Sequence, residues 1–273
     1  MTLNCNGKIL DLKIPKVMGI LNLTPDSFYD GGKYQSIELA INKCNQMLSQ
    51  GADIIDIGAV SSRPGSKIIS EKDEFNRLIP ILKVLVKEFN EAIFSVDTYR
   101  SQIAKASLDV GASIINDITA GKFDSNMLPL VGKYNAVYIA MHMEGHPHNM
   151  KENLSCEDVT SELLSFFLDR IESCNLNRIN DVIIDPGFGF GKELNQNFEI
   201  LKNLEIFQEL NVPILVGFSR KSMIYKSLKI ESAEALNGTS VLNTVALLKK
   251  ANILRVHDVK EAKESIELCK KLV

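Results

Sequence analysis

Short apolar runs alternate with longer amphipathic segments along the 273 residues of this chain. Eight runs are too short and too rich in β-branched residues to be helices. Each is continuously apolar, which is typical of parallel strands covered on both faces. The predicted strands are residues 17–21, 53–57, 93–96, 113–116, 137–141, 182–185, 214–217 and 253–256.

Between the strands, apolar residues recur with the period of a helix. Three helices are clearest: one carries Ile37, Ile41, Cys44 and Leu48 and ends near Gly51, one carries Val241, Val245 and Leu248, and one carries Val259, Ala262, Ile266 and Cys269. Asp258 and Glu261 form a D-x-x-E variant of the capping box before the last of them.

Eight alternating β/α units predict a TIM (β/α)8 barrel, an α/β fold that commonly takes about 250 residues. We expect a single domain over residues 1–273, with residues 1–14 as a short N-terminal hairpin over one end of the barrel.

Composition and charge narrow the classes of function. The hydrophobic fraction of 45% suits a chain that buries a full core, and the net charge of −3 offers no basic footprint for nucleic acid or an acidic membrane. The five cysteines are scattered without a C-x-x-C pair, which predicts reduced thiols, and no run approaches 18 apolar residues. We therefore expect a cytoplasmic protein that binds neither nucleic acid nor membrane.

The stretch DPGFGFGK, residues 185–192, looks at first like a phosphate-binding loop. A P-loop needs a glycine where Pro186 stands and a hydroxyl where Glu193 stands, and the dinucleotide fingerprint needs a glycine where Lys192 stands. The proline biases Asp185 toward an extended conformation, and the glycines allow unusual backbone angles. We interpret the stretch as a strand that ends in a carboxylate and enters a sharp loop, with Lys192 as a solvated surface lysine.

The predicted barrel places polar residues at the C-terminal ends of its strands, where the active site of this architecture is built. Such residues are expensive to desolvate unless they are paired, so structural roles alone do not account for the whole set. The set comprises Asn22, Asp56, Asp97, Asn116, Met141, His142, Asp185, Ser219, Arg220, Lys221, Arg255 and His257.

Two kinds of ligand chemistry fit this rim. Asp97, Asn116 and Asp185 could bind the edge of a 2-amino-4-oxopyrimidine, whose adjacent N–H groups meet a carboxylate as a guanidinium does. Lys221 would face the ring carbonyl and favour the ionised carboxylates. A flat heterocycle is therefore favoured.

Arg63, Arg255 and His257 also indicate an anion. Arg255 and His257 precede a helix whose free N–H groups and dipole favour negative charge. The structural alternative is an ion pair between Arg255 and Asp258.

The histidines of MHMEGHPHNM allow a second interpretation. His142, His146 and His148 have a spacing that could hold a metal ion, although the strand pattern fixes no acidic or cysteine ligand beside them. The simpler interpretation is that His142 belongs to the rim and that the other two are exposed loop residues.

Seven segments of the chain together resemble one known family. They are MGILNLTPDSFYDGGKY (18–34), SSRPG (61–65), SVDTYR (95–100), IINDITAG (114–121), DPGFGFGK (185–192), GFSRKSMI (217–224) and RVHDVKEA (255–262). In this order, and at the predicted strand ends, they closely resemble bacterial dihydropteroate synthase from about residue 16 onward.

The resemblance implies a transferase of folate biosynthesis. These enzymes join 6-hydroxymethyl-7,8-dihydropterin diphosphate to p-aminobenzoate, releasing pyrophosphate by an SN1-like displacement that needs no covalent enzyme nucleophile. The resemblance also implies a Mg²⁺ cofactor and a homodimer, and the family is a sulfonamide target, but Ser62 and the Ala59-Val60-Ser61 variant leave the sensitivity of this chain open.

Residue roles follow from the resemblance position by position. The pterin would be held by Asp97, Asn116, Asp185 and Lys221, and the diphosphate would face Ser62, Arg63, Arg255 and His257. Asn22 would give Mg²⁺ an oxygen ligand. The wall beside p-aminobenzoate would consist of Gly189 and Phe190, with Met141 and Ser219 as further substrate-binding residues of the rim. The loops TPDSFYDGGKY and SSRPGSK would close over the diphosphate. Asp26 and Arg63 would be the polar residues that hold the closed loops there, and both would be needed for catalysis.

One departure and two rivals accompany this interpretation. Many family members have Thr where Ser62 stands, and the missing methyl is expected to weaken packing near p-aminobenzoate by at most about 0.8 kcal/mol. The rivals are the methyltetrahydrofolate-binding domain of corrinoid methyltransferases, which has no diphosphate to expel, and a catalytically silent paralogue that only binds pterin or a partner protein.

Overall fold

The chain begins with the predicted hairpin and continues into a sheet of eight parallel strands. The structure, a computed structural model, describes residues 1–23, 32–60, 69–145 and 158–272. The hairpin consists of β1 (Thr2–Cys5) and β2 (Lys8–Asp11). The sheet consists of β3 (Lys16–Asn22), β4 (Ile54–Gly58), β5 (Ile93–Asp97), β6 (Ile114–Asp117), β7 (Val137–Met141), β8 (Val182–Asp185), β9 (Leu215–Val216) and β10 (Ile253–Val256).

The eight-stranded sheet closes on itself. Its order is β8-β7-β6-β5-β4-β3-β10-β9. The outer strands β8 and β9 meet through a parallel bridge between Ile184 and Ile214, and the N–H of Ile184 donates to the carbonyl of Pro213 at 3.0 Å. The predicted TIM barrel is thus confirmed.

Strand β9 is shorter than the four residues predicted for it. The N–H of Ile214 donates to the side-chain Oδ1 of Asn252 at 2.9 Å, and its carbonyl accepts from the N–H groups of Asn252 and Ile253. An asparagine side chain therefore takes the place of a strand neighbour at this point, which a pattern of apolar residues does not reveal.

Helices follow the barrel strands. They are α1 (Gly32–Ser49), α2 (Glu71–Glu88), α3 (Ser101–Val110), α4 (Met127–Tyr134), α5 (Val159–Leu176), α6 (Leu194–Lys202), α7 (Ser222–Leu228), α8 (Leu236–Leu248) and α9 (Val259–Cys269), with short 3-10 helices at Leu204–Leu210 and Ser232–Glu234. The three clearest predicted helices are confirmed as α1, α8 and α9. Among the described helices, none has the length and apolar character needed to cross a membrane.

The predicted capping box before α9 is wrong. Asp258 is the N-cap residue, but its side chain makes no capping hydrogen bond. Its carboxylate instead accepts from Nη2 of Arg220 at 2.8 Å. The guanidinium group of Arg220, from another loop, therefore binds the carboxylate that the D-x-x-E pattern had assigned to capping of the helix.

The hairpin covers the N-terminal end of the barrel. Its buried side chains join apolar side chains inside the barrel in one cluster, here called the basal cluster: Leu3, Cys5, Leu10, Leu12, Met18, Ile54, Ile93, Ile114, Val137, Ile139, Ile183, Leu215 and Ile253. The N–H of Asn4 donates to Asp181 at 3.1 Å, and Nζ of Lys8 donates to the carbonyl of Ala92 at 2.9 Å. These bonds tie the hairpin to segments just before barrel strands.

Candidate active site

The alternation of side chains along the strands brings polar groups into the barrel. In β4, Ile55 and Ile57 pack in the main core cluster, whereas Ile54 belongs to the basal cluster. Asp56 lies two residues beyond Ile54 and therefore shares its inward face.

On four other strands, too, a polar residue lies two or four positions after a residue of the basal cluster, so that both side chains point to the same face of the strand. This spacing places Asp97, Asn116, Asp185 and Arg255 inward from Ile93, Ile114, Ile183 and Ile253 respectively. We call Asp56, Asp97, Asn116, Asp185 and Arg255 the polar layer. It lies toward the C-terminal ends of the strands, above the basal cluster, as predicted for the active site of this architecture.

Arg255 joins two carboxylates of this layer. Its Nε donates to Oδ2 of Asp56 at 2.7 Å, and its Nη2 donates to Oδ2 of Asp97 at 2.9 Å. The alternative of an ion pair between Arg255 and Asp258 is wrong, because Asp258 pairs with Arg220. Burial opposes the charged guanidinium, but Asp56 and Asp97 outweigh it, so the pKa of Arg255 is raised.

Asp56 is the most enclosed member of the layer, with no exposed surface. Its Oδ2 also accepts from Nδ2 of Asn116 at 3.1 Å, whereas its Oδ1 is buried and has no hydrogen-bond partner in the described ranges. Asp56 thus orients both Arg255 and Asn116 from beneath.

Asp97 has a strongly altered acidity. Burial raises its pKa to about 7, a shift that Arg255 opposes and Asp56 reinforces. The carboxyl group can therefore change protonation near neutral pH, and a ligand with N–H donors would favour its charged form.

Asp185 and Lys221 lie on the opposite side of the layer. Burial raises the pKa of Asp185, against the effect of Lys221, and Oδ1 of Asp185 accepts from the N–H of Gly187 at 2.8 Å. Burial lowers the pKa of Lys221 to about 8, and its Nζ donates to the carbonyl of Phe188 at 2.7 Å. The two side chains are thus coupled to each other and to the glycine-rich loop.

That loop needs glycine for two reasons at one position. Gly187 has a φ of +67°, and a Cβ there would lie 1.9 Å from the carbonyl oxygen of His142. Gly189 also has a positive φ, of +81°, and its N–H donates to Oδ1 of Asn197 at 2.7 Å. The backbone of the loop therefore lies close against the end of β7, as the interpretation of DPGFGFGK as a sharp loop requires.

The prediction that Lys192 is a solvated surface lysine is wrong. Its side chain is 4% exposed, and its Nζ donates to the carbonyls of His142, Gly187 and Phe190 at 3.1, 3.0 and 3.3 Å. Because the glycine-rich turn leaves carbonyls without strand partners, the ammonium group satisfies them from inside the loop.

Phe190 forms an apolar wall beside these charges. It packs against a small cluster formed by Ile118, Met141 and Met143, and Nζ of Lys221 lies 4.6 Å from the centroid of its ring. The structure therefore brings Met141, Phe190 and Lys221 together, and Gly189 lies beside the side chain of Lys221.

Ser219 and His257 pair at the ends of β9 and β10. Oγ of Ser219 lies 2.9 Å from Nδ1 of His257 and accepts from the backbone N–H of His257 at 3.3 Å. The two predicted site residues are thus neighbours, and their polar atoms lie just before α9.

Asn22 lies beside the polar layer, at the end of β3. The position of a Cβ on Gly58 would lie 3.8 Å from Oδ1 of Asn22 and 3.4 Å from Cβ of Asp97. An amide oxygen beside a carboxylate is the kind of hard donor set that suits Mg²⁺.

Three predicted site residues lie outside the described residues: Asp26, Ser62 and Arg63. The same holds for most of the two predicted lid loops, and for His146 and His148.

His142 is buried at the end of β7. Burial lowers its pKa to about 2, so the ring is neutral, and it makes an edge contact with Phe166 at 4.7 Å between centroids. Carboxylate oxygens of Glu144 and Glu162 come within 4.8 Å of a ring nitrogen. The strand pattern fixed no acidic ligand beside the histidines, and the structure places Glu144 and Glu162 next to His142. Lys122, which lies 4.5 Å from the Phe166 ring centroid, offers those carboxylates a cation.

Sequence reasoning also missed the pair of Glu74 and Arg100. Glu74 is 1% exposed and accepts from Nη1 of Arg100 and from Oγ1 of Thr98, while Nη2 of Arg100 donates to the carbonyl of Ile69 at 2.8 Å. This network holds the segment after β5 to the start of α2. Its partners are 26 residues apart in sequence, so no local pattern indicates it.

Comparison with known proteins agrees with this geometry. The family described as pterin binding enzyme matches residues 18–257. The dihydropteroate synthase of Escherichia coli K12 is 40% identical over 270 residues, covering 98% of this chain and 95% of the relative. This chain belongs to the dihydropteroate synthase family. Membership makes it a transferase of folate synthesis, as the resemblance implied.

Solved structures of the family share the fold. The Yersinia pestis dihydropteroate synthase with a sulfonamide drug complex has a TM-score of 0.93 and 38% identity, covering 100% of this chain and 99% of that one. The Xanthomonas albilineans dihydropteroate synthase with 4-aminobenzoic acid has a TM-score of 0.92 and 34% identity, covering 99% and 97%. The family match thus extends over essentially the whole barrel.

Proposed function

We propose that the polar layer and the loop above it catalyse the condensation of 6-hydroxymethyl-7,8-dihydropterin diphosphate with p-aminobenzoate in this chain. The observation that carries the proposal is the bridge from Arg255 to Asp56 and Asp97 inside the barrel. It gathers buried carboxylates, an amide and cations in one place, which suits a heterocycle with several N–H groups.

The pterin would lie on the polar layer. Asp97 and Asp185 would accept its ring and exocyclic N–H groups, Asn116 would read a neighbouring edge, and Lys221 would face the ring carbonyl. Without a ligand, the pKa of Asp97 near 7 leaves its carboxyl group partly protonated and partly ionised at neutral pH. A charge-assisted hydrogen bond to the ligand would favour the ionised form.

p-Aminobenzoate would lie against the wall that Gly189 and Phe190 form, with Met141 and Ser219 nearby. Its aniline nitrogen is neutral at pH 7 and needs no base before it attacks. The enzyme's task there is to place the nitrogen in line with the exocyclic methylene carbon and to exclude water.

The bond that breaks joins the methylene carbon to the diphosphate oxygen, and its electron pair leaves with pyrophosphate. The dihydropterin delocalises the positive charge on that carbon until the aniline nitrogen forms the new C–N bond and loses a proton. Arg255, His257, Ser62 and Arg63 would stabilise the charge on the leaving group. This dissociative route requires no covalent enzyme nucleophile.

Mg²⁺ is part of the proposal. Asn22 would contribute an oxygen ligand beside Asp97, and the ion, when bound, would neutralise charge on the diphosphate. Asp26 and Arg63 would anchor the two loops that close over this group; normal turnover by both Asp26→Ala and Arg63→Ala would contradict that role.

We also propose a cytoplasmic homodimer. Helix α8 exposes Leu236, Val241 and Leu248, whose exposed fractions are 38%, 53% and 47%, whereas Val245 on the same helix packs on the core. An apolar outer face of this kind is typical of a surface that a second subunit covers.

The test is pyrophosphate release by the purified protein with Mg²⁺ and the pterin diphosphate, with and without p-aminobenzoate, while dihydropteroate is measured in parallel. Equal amounts of both products are expected, with loss in Lys221→Ala and Arg255→Ala. Tight pterin binding without product would contradict the proposal and favour a methyltransferase-type domain or a silent paralogue.

A further inference from the structure

Lys192 is a buried cation that the mechanism above does not use. It ends the DPGFGFGK segment and is 4% exposed. An ammonium group has three N–H donors, and here all three find carbonyl oxygens, those of His142, Gly187 and Phe190. Within the described ranges no carboxylate forms an ion pair with it.

A buried ammonium group that has no carboxylate in direct contact is costly for the folded state. A neutral apolar residue of the same volume would avoid that cost, but it would take away the donor of the carbonyls of His142, Gly187 and Phe190. What the charge provides is a strong attraction for three carbonyl dipoles at once.

The three carbonyls connect two parts of the site. That of His142 follows β7, whereas those of Gly187 and Phe190 belong to the loop. Lys221 holds the carbonyl of Phe188 from the other side at 2.7 Å. Two lysines therefore hold backbone carbonyls of the loop, and the proposed function gives a substrate contact to Lys221 but none to Lys192.

We propose that Lys192 is a positioning residue for p-aminobenzoate, because its ammonium group holds the loop so that Gly189 and Phe190 present the wall for the aromatic amine. This inference rests on the contact of p-aminobenzoate with Gly189 and Phe190 under the proposed function.

The same geometry makes the wall sensitive to pH. Burial lowers the pKa of Lys192 to about 7; Asp185, Glu144 and Glu162 oppose the shift, and Lys221 adds to it. His142 is neutral at these pH values. Rising pH removes one of the three donors, so the KM for p-aminobenzoate should rise as pH passes through about 7.

The experiment compares Lys192→Met, Lys192→Arg and a control, Lys202→Met, which removes an exposed lysine from α6. KM for each substrate and kcat are measured from pH 6 to pH 9. We expect Lys192→Met to raise the KM for p-aminobenzoate at least ten-fold at pH 6 and the KM for the pterin diphosphate less than three-fold. The control should change neither.

Lys192→Arg keeps a charge that does not titrate in this range. Because Lys221 and Asp97 titrate in both proteins, the ratio of the wild-type to the Arg-variant KM for p-aminobenzoate isolates Lys192. This ratio should rise between pH 6 and pH 9. If Lys192→Met does not fold, this ratio alone decides: a flat ratio overturns the proposal.

Two other results would overturn it where Lys192→Met folds: an unchanged KM for p-aminobenzoate, or an equal rise in both KM values, which a merely structural role would cause. The variant Phe190→Ala distinguishes failure of the role of Lys192 from failure of the proposed placement of p-aminobenzoate. If Phe190→Ala leaves the KM for p-aminobenzoate unchanged, the proposed placement of that substrate has failed. If it raises the KM and Lys192→Met does not, only the role of Lys192 has failed.

Discussion

The two ends of the barrel are built from the same strands but from opposite chemistry. At the N-terminal end, inward residues such as Ile54 and Ile253 pack with the hairpin in the basal cluster. Two residues further along the same strands, Asp56 and Arg255 form a buried ion pair. The apolar end gains free energy by burial, whereas the charged end loses part of it by desolvation. The difference indicates that one end serves stability and the other serves chemistry.

The largest effect should come from breaking the ion pairs at the charged end. Arg255→Met leaves Asp56 and Asp97 buried without their cation, and we expect a loss of about 3–5 kcal/mol in the free energy of unfolding, together with loss of turnover. Urea denaturation and pyrophosphate release would measure both. Arg220→Met is the matched control: its pair with Asp258 is 42% exposed on the arginine side and should contribute less than about 1 kcal/mol. Equal losses in the two variants would contradict this account of the charged end.

At the apolar end the expected loss is in stability alone. Leu10→Ala removes a hairpin side chain that is 5% exposed, and should cost about 2–4 kcal/mol of unfolding free energy while kcat/KM stays within two-fold. The neighbouring residue Ile9 is 67% exposed, so Ile9→Ala should change stability by less than about 0.5 kcal/mol. A large fall in the activity of folded Leu10→Ala would show that the two ends are not independent.

A smaller contrast concerns one glycine from each end. Gly7 in the hairpin has a φ of +86° with no atom within 4 Å of an added Cβ, so Gly7→Ala should cost only the left-handed strain of about 1–2 kcal/mol. In Gly187→Ala the added Cβ also meets the carbonyl of His142, so the loss of stability should be larger and the KM for p-aminobenzoate should rise. Thermal unfolding and steady-state kinetics measure the two effects. Equal stability of both variants would show that the loop can move away from β7.

The smallest effect is a slope with pH. Burial raises the pKa of Asp97 to about 7 from its ordinary 3.8, so between these values the folded state binds more protons than the unfolded state. The contribution of Asp97 to the unfolding free energy therefore falls as pH rises from about 4 to 7. Denaturation at pH 5, 6 and 7 should show a steeper fall for the wild type than for Asp97→Asn. Parallel slopes would mean that Arg255 holds Asp97 ionised throughout.

Local patterns were sufficient for the architecture. Eight apolar runs and their spacing predicted the barrel, and the residues at their ends predicted which side chains the charged end would contain. This succeeded because strand alternation is a local property: Asp185 shares a face with Ile183 wherever the strand lies. The resemblance to a known family then suggested which substrate each of these side chains binds, which the alternation of side chains along a strand cannot indicate.

Pairing was decided by the tertiary structure. Arg255 lies 199 residues from Asp56 and 158 from Asp97, yet it bonds to both, and not to its near neighbour Asp258. Lys192 was predicted to be a solvated surface lysine, but the turn through Gly187 brings three carbonyls around its amine. The electrostatics of a buried charge depend on which groups closure of the barrel brings within a few ångströms, and separation along the chain does not specify them.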